Sequence, residues 1–509
     1  MEIKEFKRIN KLKYLGLVSL MGLNAGCTIT KEKQKPNVVI IYMDDLGIGD
    51  VSCYGMGQLK TPGIDRIAAE GLRFENGYAT AATCTPSRYS ILTGDYPWRN
   101  DKAAVLAGDA KLLIDTSKVT LPKILQKSGY KTAAIGKWHL GLGQGNIDWN
   151  KEILAGPKQV GFDYSYIMAA TNDRTPTVFV KNGLVEGLEA NDPLEVNYRK
   201  NYPGEPTGKL NPELLKMKTT YHHHQSINNG ISRIGFMKGG KNAMWVDENM
   251  ADTFLVESLR FIEENKTKPF FLYYALHQPH VPRVPHPRFA GKSGMGPRGD
   301  AILEGDWCVA QVINKLESLH ILENTLVIFS SDNGPVLDDG YADQAVEKLG
   351  GHTPWGVFRG GKYSLFDAGA HVPFIVMWKG KIKQGVSKAM ISQVDIMASA
   401  AKLIGSDMPD TDSEQLLSTL MGKTEEGRDI LHFEGLKGRV AVRSKEWVLI
   451  PPYKGPLRHS WGGNVESGLS KDYQLYHMTE DPNQQHNVYT DFPEIANELL
   501  IKLNEGRNK

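Results

Sequence analysis

Long apolar runs alternate with amphipathic segments along most of this chain. The runs at 37–43 and 326–331 are continuous and rich in β-branched residues, which is typical of parallel strands buried on both faces. Segments between such runs have helical periodicity, for example 302–319. We therefore predict an α/β fold with a large mixed, mostly parallel sheet sandwiched by helices. Further strands are predicted at 72–78, 131–135, 269–275 and 372–378, and further helices at 62–70, 120–128, 252–264 and 393–404.

The composition becomes polar near 406–412, directly after the last of these helices. Beyond this point the pattern predicts a small antiparallel sheet and one terminal helix. We expect a main domain over 37–405 and a smaller C-terminal α+β subdomain over 406–509. The predicted strands of the subdomain are 439–442, 447–450 and 473–477, and the helix is 494–503.

The first 27 residues have the pattern of an export signal, because several basic residues precede a short apolar run at 14–23. Small residues directly before Cys27 resemble a bacterial lipoprotein cleavage box, although Asn24 stands where an aliphatic residue is usual. Lipidation of Cys27 and plain cleavage both stay open, and 28–36 is a polar spacer. We expect an exported protein, periplasmic or lipid-anchored at the cell envelope of a bacterium.

Composition adds limits rather than a function. The chain has 509 residues, of which 41% are hydrophobic and 23% charged, as in a globular protein with a large core. A net charge of +2 gives no global attraction to nucleic acid, and the only membrane contact we expect is a lipid anchor at Cys27. Four cysteines cannot form a disulfide scaffold in a chain of this length, and Cys53 and Cys308 are expected either to pair or to remain buried thiols.

Ionisable and metal-ligating side chains follow four of the predicted strands. Open α/β sheets bind ligands at the carboxyl ends of their strands, so these residues are expected to meet. Adjacent carboxylates at a buried strand end repel each other, and a hard cation is the simplest way to reconcile them; a solvated turn capped by Asp44 is the alternative. The residues are Asp44 with Asp45, Lys137 with His139, His280, and Asp332 with Asn333.

The small-residue run at 81–94 delivers Cys84 to the start of a short apolar helix. Pro86 presets the first turn, and Thr83 or Thr85 is expected to cap it, so that Cys84 precedes amides that attract anions. Arg88 adds a bidentate fork for an oxyanion. A catalytic thiolate paired with His139 or His280 is an alternative, although a thiol is a poor partner for a hard cation.

Cys84-x-Pro86-Ser87-Arg88, followed after five residues by Gly94, resembles the signature of the formylglycine-dependent (type I) sulfatases of the alkaline phosphatase-like superfamily. The resemblance covers about 37–405 and reaches the turn at 481–483. It implies that a maturation enzyme oxidises Cys84 to formylglycine (3-oxoalanine), whose hydrate attacks sulfur. It also implies one Ca²⁺ ion, held by Asp44, Asp45, Asp332, Asn333 and the oxidised Cys84. The positions that match the sulfate-binding and proton-transfer residues are Arg88, Lys137, His139, His280 and Lys362.

One departure from the family pattern is His371, which stands where an arginine with a structural role is common. The substrate is expected to be a sulfated glycan, with galactose or N-acetylgalactosamine sulfates preferred over a small sulfate ester. We expect an exposed stretch at 172–174 and an exposed loop at 221–224 to contact the sugar, through Asn172, Asp173, Arg174 and His224. The alternatives are a phosphomonoesterase or phosphodiesterase of the same superfamily, which needs a second metal, and a glycan-binding lipoprotein without catalysis.

Overall fold

The computed structural model describes residues 35–408, 410–461 and 463–508; the predicted export signal and Cys27 lie outside the described residues. The described chain forms a ten-stranded mixed sheet and three smaller sheets. The strands are β1 (Asn37–Met43), β2 (Leu72–Tyr78), β3 (Lys131–Lys137), β4 (Tyr164–Met168), β5 (Phe179–Lys181), β6 (Leu184–Val185), β7 (Glu195–Asn197), β8 (Ile227–Asn228), β9 (Ile231–Ser232), β10 (Phe236–Lys238), β11 (Phe270–Ala275), β12 (Thr325–Ser331), β13 (Phe374–Met377), β14 (Gly385–Ser392), β15 (Leu431–Glu434), β16 (Val440–Arg443), β17 (Trp447–Ile450) and β18 (Gln474–His477).

The helices in the described residues are α1 (Pro62–Ala69), α2 (Cys84–Thr93), α3 (Leu121–Lys127), α4 (Pro157–Val160), α5 (Met250–Asn265), α6 (Gly296–Ser318), α7 (Ile396–Ile404), α8 (Leu417–Leu420) and α9 (Pro493–Asn508). Seven of the helices in the described residues agree with predicted segments, within six residues at each end, whereas α4 and α8 have no predicted counterpart. None of these described helices has the length and apolar character needed to cross a bilayer. The proposed domain boundary at 405/406 directly follows α7.

Four neighbouring parallel strands form the centre of the large sheet. Its order is β14-β2-β13-β12-β1-β11-β3-β4-β5-β6, and β1 pairs in parallel with both β11 and β12, while β11 pairs in parallel with β3. These are the four strands whose ends carry the predicted chemistry. Because their carboxyl ends lie side by side at one edge, the predicted convergence is confirmed.

Helices cover both faces of this sheet, as the continuous apolar runs predict. In β1, Val38, Ile40 and Tyr42 belong to one apolar cluster, and Val39, Ile41 and Met43 to another on the opposite face. The first cluster includes residues of α2, α3 and α7, and the second includes residues of α1, α5 and α6. A sheet that is buried on both faces gives the strand ends a rigid base.

The C-terminal sheet is antiparallel, in the order β15-β16-β17-β18, and α9 packs against it. Three of its strands lie within one residue of their predicted bounds, whereas β15 has no predicted counterpart. The end of β15 is bonded to the large domain, because Ala82 N donates to the Glu434 carbonyl at 2.7 Å and Glu434 N donates to the Thr80 carbonyl at 2.9 Å. The small sheet is therefore hydrogen-bonded to the segment that precedes Cys84.

Candidate active site

The helix α2 begins at Cys84, as predicted, and is buried along its whole length. The predicted capping is wrong: Thr83 is extended but makes no side-chain cap, and the Thr85 hydroxyl donates to the carbonyl of His139 at 2.9 Å. Gly94, with φ of +73°, ends the helix in the left-handed conformation that glycine adopts without strain. Cys84 therefore has a fixed position next to the end of β3.

Three buried carboxylates meet where β1 and β12 end. One oxygen each from Asp44, Asp45 and Asp332 lie within 4.8 Å of one another. Asp45 has φ of +61°, which is rare outside glycine, and its Oδ1 accepts a hydrogen bond from Asn333 Nδ2 at 2.8 Å. Burial raises the pKa of Asp44 and Asp45, and the charge of Asp332 adds to both effects. Such a cluster stays ionised only with compensating positive charge.

The donor atoms of this cluster fit a metal ion. Asp44 Oδ1 and Asn333 Oδ1 are buried and have no hydrogen-bond donor among the described residues. A buried oxygen without a donor is costly, and coordination of a cation removes that cost. Carboxylate and amide oxygens are the ligands that Ca²⁺ and Mg²⁺ prefer. Asp44, Asp45, Asp332 and Asn333 together could therefore hold a hard divalent cation.

Three buried cations, Arg88, Lys137 and Lys362, surround the carboxylates. Although burial alone would raise the pKa of Asp332, these cations lower it. Asp339, which the sequence analysis does not select, also pairs with Lys362. The distances are 2.7 Å from Arg88 Nη2 to Asp332, 2.5 Å from Lys137 Nζ to Asp44, and 2.8 Å from Lys362 Nζ to both Asp45 and Asp339. Since four carboxylates outnumber three cations, the cluster can accept a divalent cation together with an anionic substrate.

Two buried histidines present free nitrogens to the site. His139 Nε2 bonds the Leu106 carbonyl at 2.9 Å, so Nε2 carries the proton and Nδ1, which has no partner among the described residues, is an acceptor. His280 Nδ1 lies 2.6 Å from the Val281 carbonyl, so Nδ1 donates there and Nε2 is left available. Burial, together with the nearby cations, lowers the pKa of both rings. Both histidines are therefore neutral near pH 7 and able to accept a proton.

A cavity of about 340 Å³ opens over these residues. Of the predicted site residues, Cys84, Asp173, Arg174, His280 and Lys362 line it. A larger cavity of about 580 Å³ lies between 335–337 and 463–466, but contains none of the predicted catalytic residues, so the chemistry assigns the active site to the smaller one. The remaining lining residues of the smaller cavity are Val105, Tyr221, His222, His223, Ile234, Asp339, Tyr363, Leu436, Lys437 and Trp461.

Comparison with known proteins agrees with this geometry. The family model described as Sulfatase matches residues 36–406. The chain belongs to the sulfatase family. The protein is thus a sulfuric ester hydrolase, and Cys84, Lys137 and His280 lie inside the matched region.

Two curated relatives and two solved structures give the extent of the similarity. This sulfatase is 47% identical, over 98% of its chain and 100% of the relative, to N-acetylgalactosamine-6-O-sulfatase of Bacteroides thetaiotaomicron. It is 28% identical to human arylsulfatase A, over 96% of its chain and 89% of that protein. A solved structure from work on the metabolism of multiple glycosaminoglycans by B. thetaiotaomicron superposes with a TM-score of 0.92 at 47% identity, over 94% and 100% of the two chains. A sulfatase from Pseudoalteromonas sp., 24% identical with a TM-score of 0.69 over 93% and 90% of the two chains, shares the fold.

The expectation of an exposed stretch at 172–174 is wrong: Arg174 is half-buried, and the other two residues are still less exposed. Asn172 and Asp173 are buried. Asn172 does not line the active-site cavity; its Nδ2 donates to the Pro282 carbonyl at 3.1 Å. Asn172 therefore holds the loop that carries His280. Its side chain is hidden because 172 follows β4 beneath that loop, an arrangement that local composition does not encode.

The expectation of an exposed loop at 221–224 is right only for His222, since Tyr221 and His224 are half-buried and His223 is buried. His223 Nε2 lies 2.9 Å from Asp173 Oδ2, while Asp173 Oδ1 accepts a hydrogen bond from Arg174 Nη1 at 2.7 Å. Among the described residues of this loop, His222 and His223 line the cavity and His224 does not. A contact between residues 50 positions apart explains why sequence reasoning selected the wrong histidine.

His371, which stands at the position of the expected arginine, makes two directed hydrogen bonds. Its Nδ1 lies 2.7 Å from Asp367 Oδ2, and its Nε2 lies 2.7 Å from the Glu75 carbonyl. The ring packs between Tyr78 and Phe358, with centroid separations of 4.5 and 4.2 Å. His371 is thus a support of the fold. Cys53 and Cys308, for which pairing was left open, are both free thiols.

Proposed function

We propose that this sulfatase removes the 6-sulfate of N-acetylgalactosamine in sulfated glycans. The observation that carries the proposal is the 47% identity, over 98% of the chain, to an N-acetylgalactosamine-6-O-sulfatase. The cavity supports it, because the buried Lys362 and the half-buried Arg174 line it together with polar and aromatic side chains, as a sugar sulfate requires. Export to the cell envelope belongs to the same proposal and rests on residues 1–27 alone.

Cys84 is the residue that we propose to be converted to formylglycine by a maturation enzyme. Burial raises the pKa of its thiol to about 12, so an unmodified Cys84 would be protonated near pH 7 and a poor nucleophile. The oxidised residue would supply the attacking oxygen that the thiol lacks. The same pKa argues against the alternative of a thiolate enzyme paired with His139 or His280.

One Ca²⁺ ion is the proposed metal, held by Asp44, Asp45, Asp332, Asn333 and the modified side chain at 84. Bound there, it would polarise the sulfate oxygens and lower the pKa of the nucleophilic oxygen. Lys137 and Lys362 bind carboxylates of the same cluster at 2.5 and 2.8 Å, in the space where a second metal would otherwise balance those charges. The charge balance therefore favours one metal and a sulfatase over a two-metal phosphatase.

The other residues of the site have separate tasks. Arg88, Lys137 and Lys362 provide fixed positive charge for the sulfate group. We assign to His139 Nδ1 the acceptance of a proton from the residue at 84; Nδ1 has no partner among the described residues, and Thr85 ties the backbone of His139 to α2. To His280, which lines the cavity, we assign the exchange of a proton with the leaving oxygen through Nε2. A binding protein without catalysis would not need two neutral histidines buried beside three cations.

The test is release of inorganic sulfate or phosphate, measured by ion chromatography, from three esters: N-acetylgalactosamine 6-sulfate, the 4-sulfate isomer and the 6-phosphate. The protein is produced with a formylglycine-generating enzyme, and Cys84→Ala is the matched control. We expect release from the 6-sulfate only, with none from Cys84→Ala or after chelation. Preference for the 4-sulfate would refute the proposed position, and preference for the phosphate would refute the reaction.

A further inference from the structure

Two segments of the C-terminal region form one wall of the active-site cavity. The turn between β15 and β16 contributes Leu436 and Lys437, and the segment at 456–461 contributes Trp461. We call these three residues the C-terminal wall. The opposite side of the cavity is lined by residues of the main domain, including Arg174 and His222.

Hydrogen bonds attach the turn that carries Leu436 and Lys437 to the segment before Cys84. The Ala82 carbonyl accepts a hydrogen bond from Tyr363 N at 2.7 Å, while Ala82 N binds the end of β15. Gly438 N donates to the buried Glu434 side chain at 2.7 Å, which braces the turn that carries Lys437. Ala82 is two residues from Cys84, so the turn is attached almost directly to the proposed nucleophile.

Trp461 is held by aromatic contacts. Its ring lies 4.7 Å from that of Tyr363, at 69°, and 4.9 Å from that of His459. The segment that carries it is held by a backbone bond, since His459 N donates to the Val465 carbonyl at 2.9 Å. Trp461 remains half-buried and lines the cavity, so part of the indole faces the space a ligand would occupy. An indole held this way is suited to pack against the apolar face of a sugar.

Lys437 differs from the other cations that line the cavity. Arg174 pairs with Asp173 at 2.7 Å, and Lys362 pairs with Asp45 and Asp339 at 2.8 Å. Lys437 is exposed and has no ion pair with any described residue. A free ammonium at the mouth of the cavity attracts an anion that lies outside the buried sulfate pocket.

We propose that the C-terminal wall binds the sugar next to the one that loses sulfate, and that Lys437 recognises a negative charge on that neighbour. This inference rests on the proposed function and extends it, because it assigns the substrate to acidic oligosaccharides. The charge is a carboxylate or a second sulfate, which Lys437 would meet as the same chemistry. Trp461 packs against the ring of the same neighbouring sugar.

The experiment compares the wild type with Lys437→Ala and Lys437→Arg, and uses the exposed Lys454→Ala of the same region as a matched control. The four substrates are the 6-sulfated monosaccharide, the 6-sulfated disaccharide with a neighbouring uronic acid, the same disaccharide with its carboxylate reduced to an alcohol, and a disaccharide whose neutral neighbour carries a second sulfate. KM and kcat are measured for each.

We expect Lys437→Ala to raise KM about tenfold for one or both charged disaccharides, with kcat within about twofold. Which of the two is affected identifies the carboxylate or the sulfate as the partner. Lys437→Arg should restore KM, and the monosaccharide and the reduced disaccharide should not respond. Trp461→Ala should raise KM for charged and reduced disaccharides alike, because stacking does not depend on charge.

The inference is overturned if Lys437→Ala changes KM equally for charged and reduced disaccharides, or changes it for neither. It is also overturned if Lys454→Ala has the same effect as Lys437→Ala. If the proposed function itself is wrong, the result differs, because the wild type would then release no sulfate from the monosaccharide.

Discussion

Replacement of Lys362 by methionine separates the two tasks of this lysine, which are to balance buried carboxylates and to bind the substrate anion. Its ammonium lies 2.8 Å from Asp45 Oδ2 and 2.8 Å from Asp339 Oδ2, and all three residues are buried. Methionine keeps an unbranched apolar stem of similar length. The principal change in Lys362→Met is therefore the loss of one positive charge.

The size of the effect follows from the two orphaned carboxylates. Removing one partner of a buried ion pair costs about 3–5 kcal/mol, because the remaining charge stays buried without compensation. Since Lys362 balances two carboxylates, we expect the metal-free Lys362→Met to lose about 5 kcal/mol of unfolding free energy at pH 7. Adding Asp339→Asn removes one orphaned charge and should restore about 2 kcal/mol.

Lower pH should reduce the difference in unfolding free energy between the wild type and Lys362→Met. Burial raises the pKa of Asp45 even while Lys362 is present, so without Lys362 the folded protein would bind a proton there still more readily. A carboxyl whose folded pKa lies above its unfolded value stabilises the folded state as pH falls through that pKa. The unfolding free energies of the wild type and Lys362→Met should therefore become more similar as pH falls from about 7 to about 5.

The assay pairs urea unfolding in chelator with sulfate release in saturating metal. Loss of a preorganised donor should lower kcat by about 10²–10³ in Lys362→Met, and Asp339→Asn should not recover it. The reasoning is refuted if Lys362→Met is as stable as the wild type in chelator. It is equally refuted if the double variant recovers activity in step with stability.

Three further predictions concern the metal, the pH dependence and the support of the fold. Asn333→Ala removes a buried amide oxygen that has no donor among the described residues, so calorimetry should show calcium affinity at least about tenfold weaker; unchanged affinity would exclude Asn333 as a ligand. Burial raises the pKa of Glu304 to about 7, so its contribution to stability declines as pH rises from about 4.5 to 7, and Glu304→Gln should remove roughly 3 kcal/mol of that decline. Parallel pH profiles for the unfolding free energies of the wild type and Glu304→Gln would contradict this. His371→Ala should cost about 3 kcal/mol in urea unfolding, because it opens a cavity and takes a donor from Asp367, while KM stays within about twofold; an unchanged midpoint would argue against a supporting role.

The central strands and their polar ends could be predicted from sequence because the signal is local. The continuous apolar run of β1 is followed at once by Asp44 and Asp45, and that of β12 by Asp332 and Asn333. A parallel sheet brings such ends to one edge, so the position of each strand along the chain was sufficient. The cysteine motif was equally local, since Pro86 and Arg88 lie within one turn of Cys84.

The walls of the site could not be predicted in this way. Asp339 lies in an ordinary turn and matters only because Lys362, 23 positions later, meets it. Lys437 reaches the cavity because β15 is hydrogen-bonded to the segment before Cys84, more than 300 positions earlier, and Trp461 because its ring packs against Tyr363. Contacts between residues so far apart in sequence depend on the fold of the whole chain, and the local pattern of apolar and polar residues does not predict them.

The most direct test of the account is the mass of the peptide that contains Cys84, measured in preparations of graded sulfatase activity. Co-expression with a formylglycine-generating enzyme at several levels provides the series. We predict that kcat per molecule rises in proportion to the fraction of residue 84 present as the aldehyde, and extrapolates to zero when every molecule retains the thiol. Full activity in a preparation whose residue 84 is entirely cysteine would contradict the account.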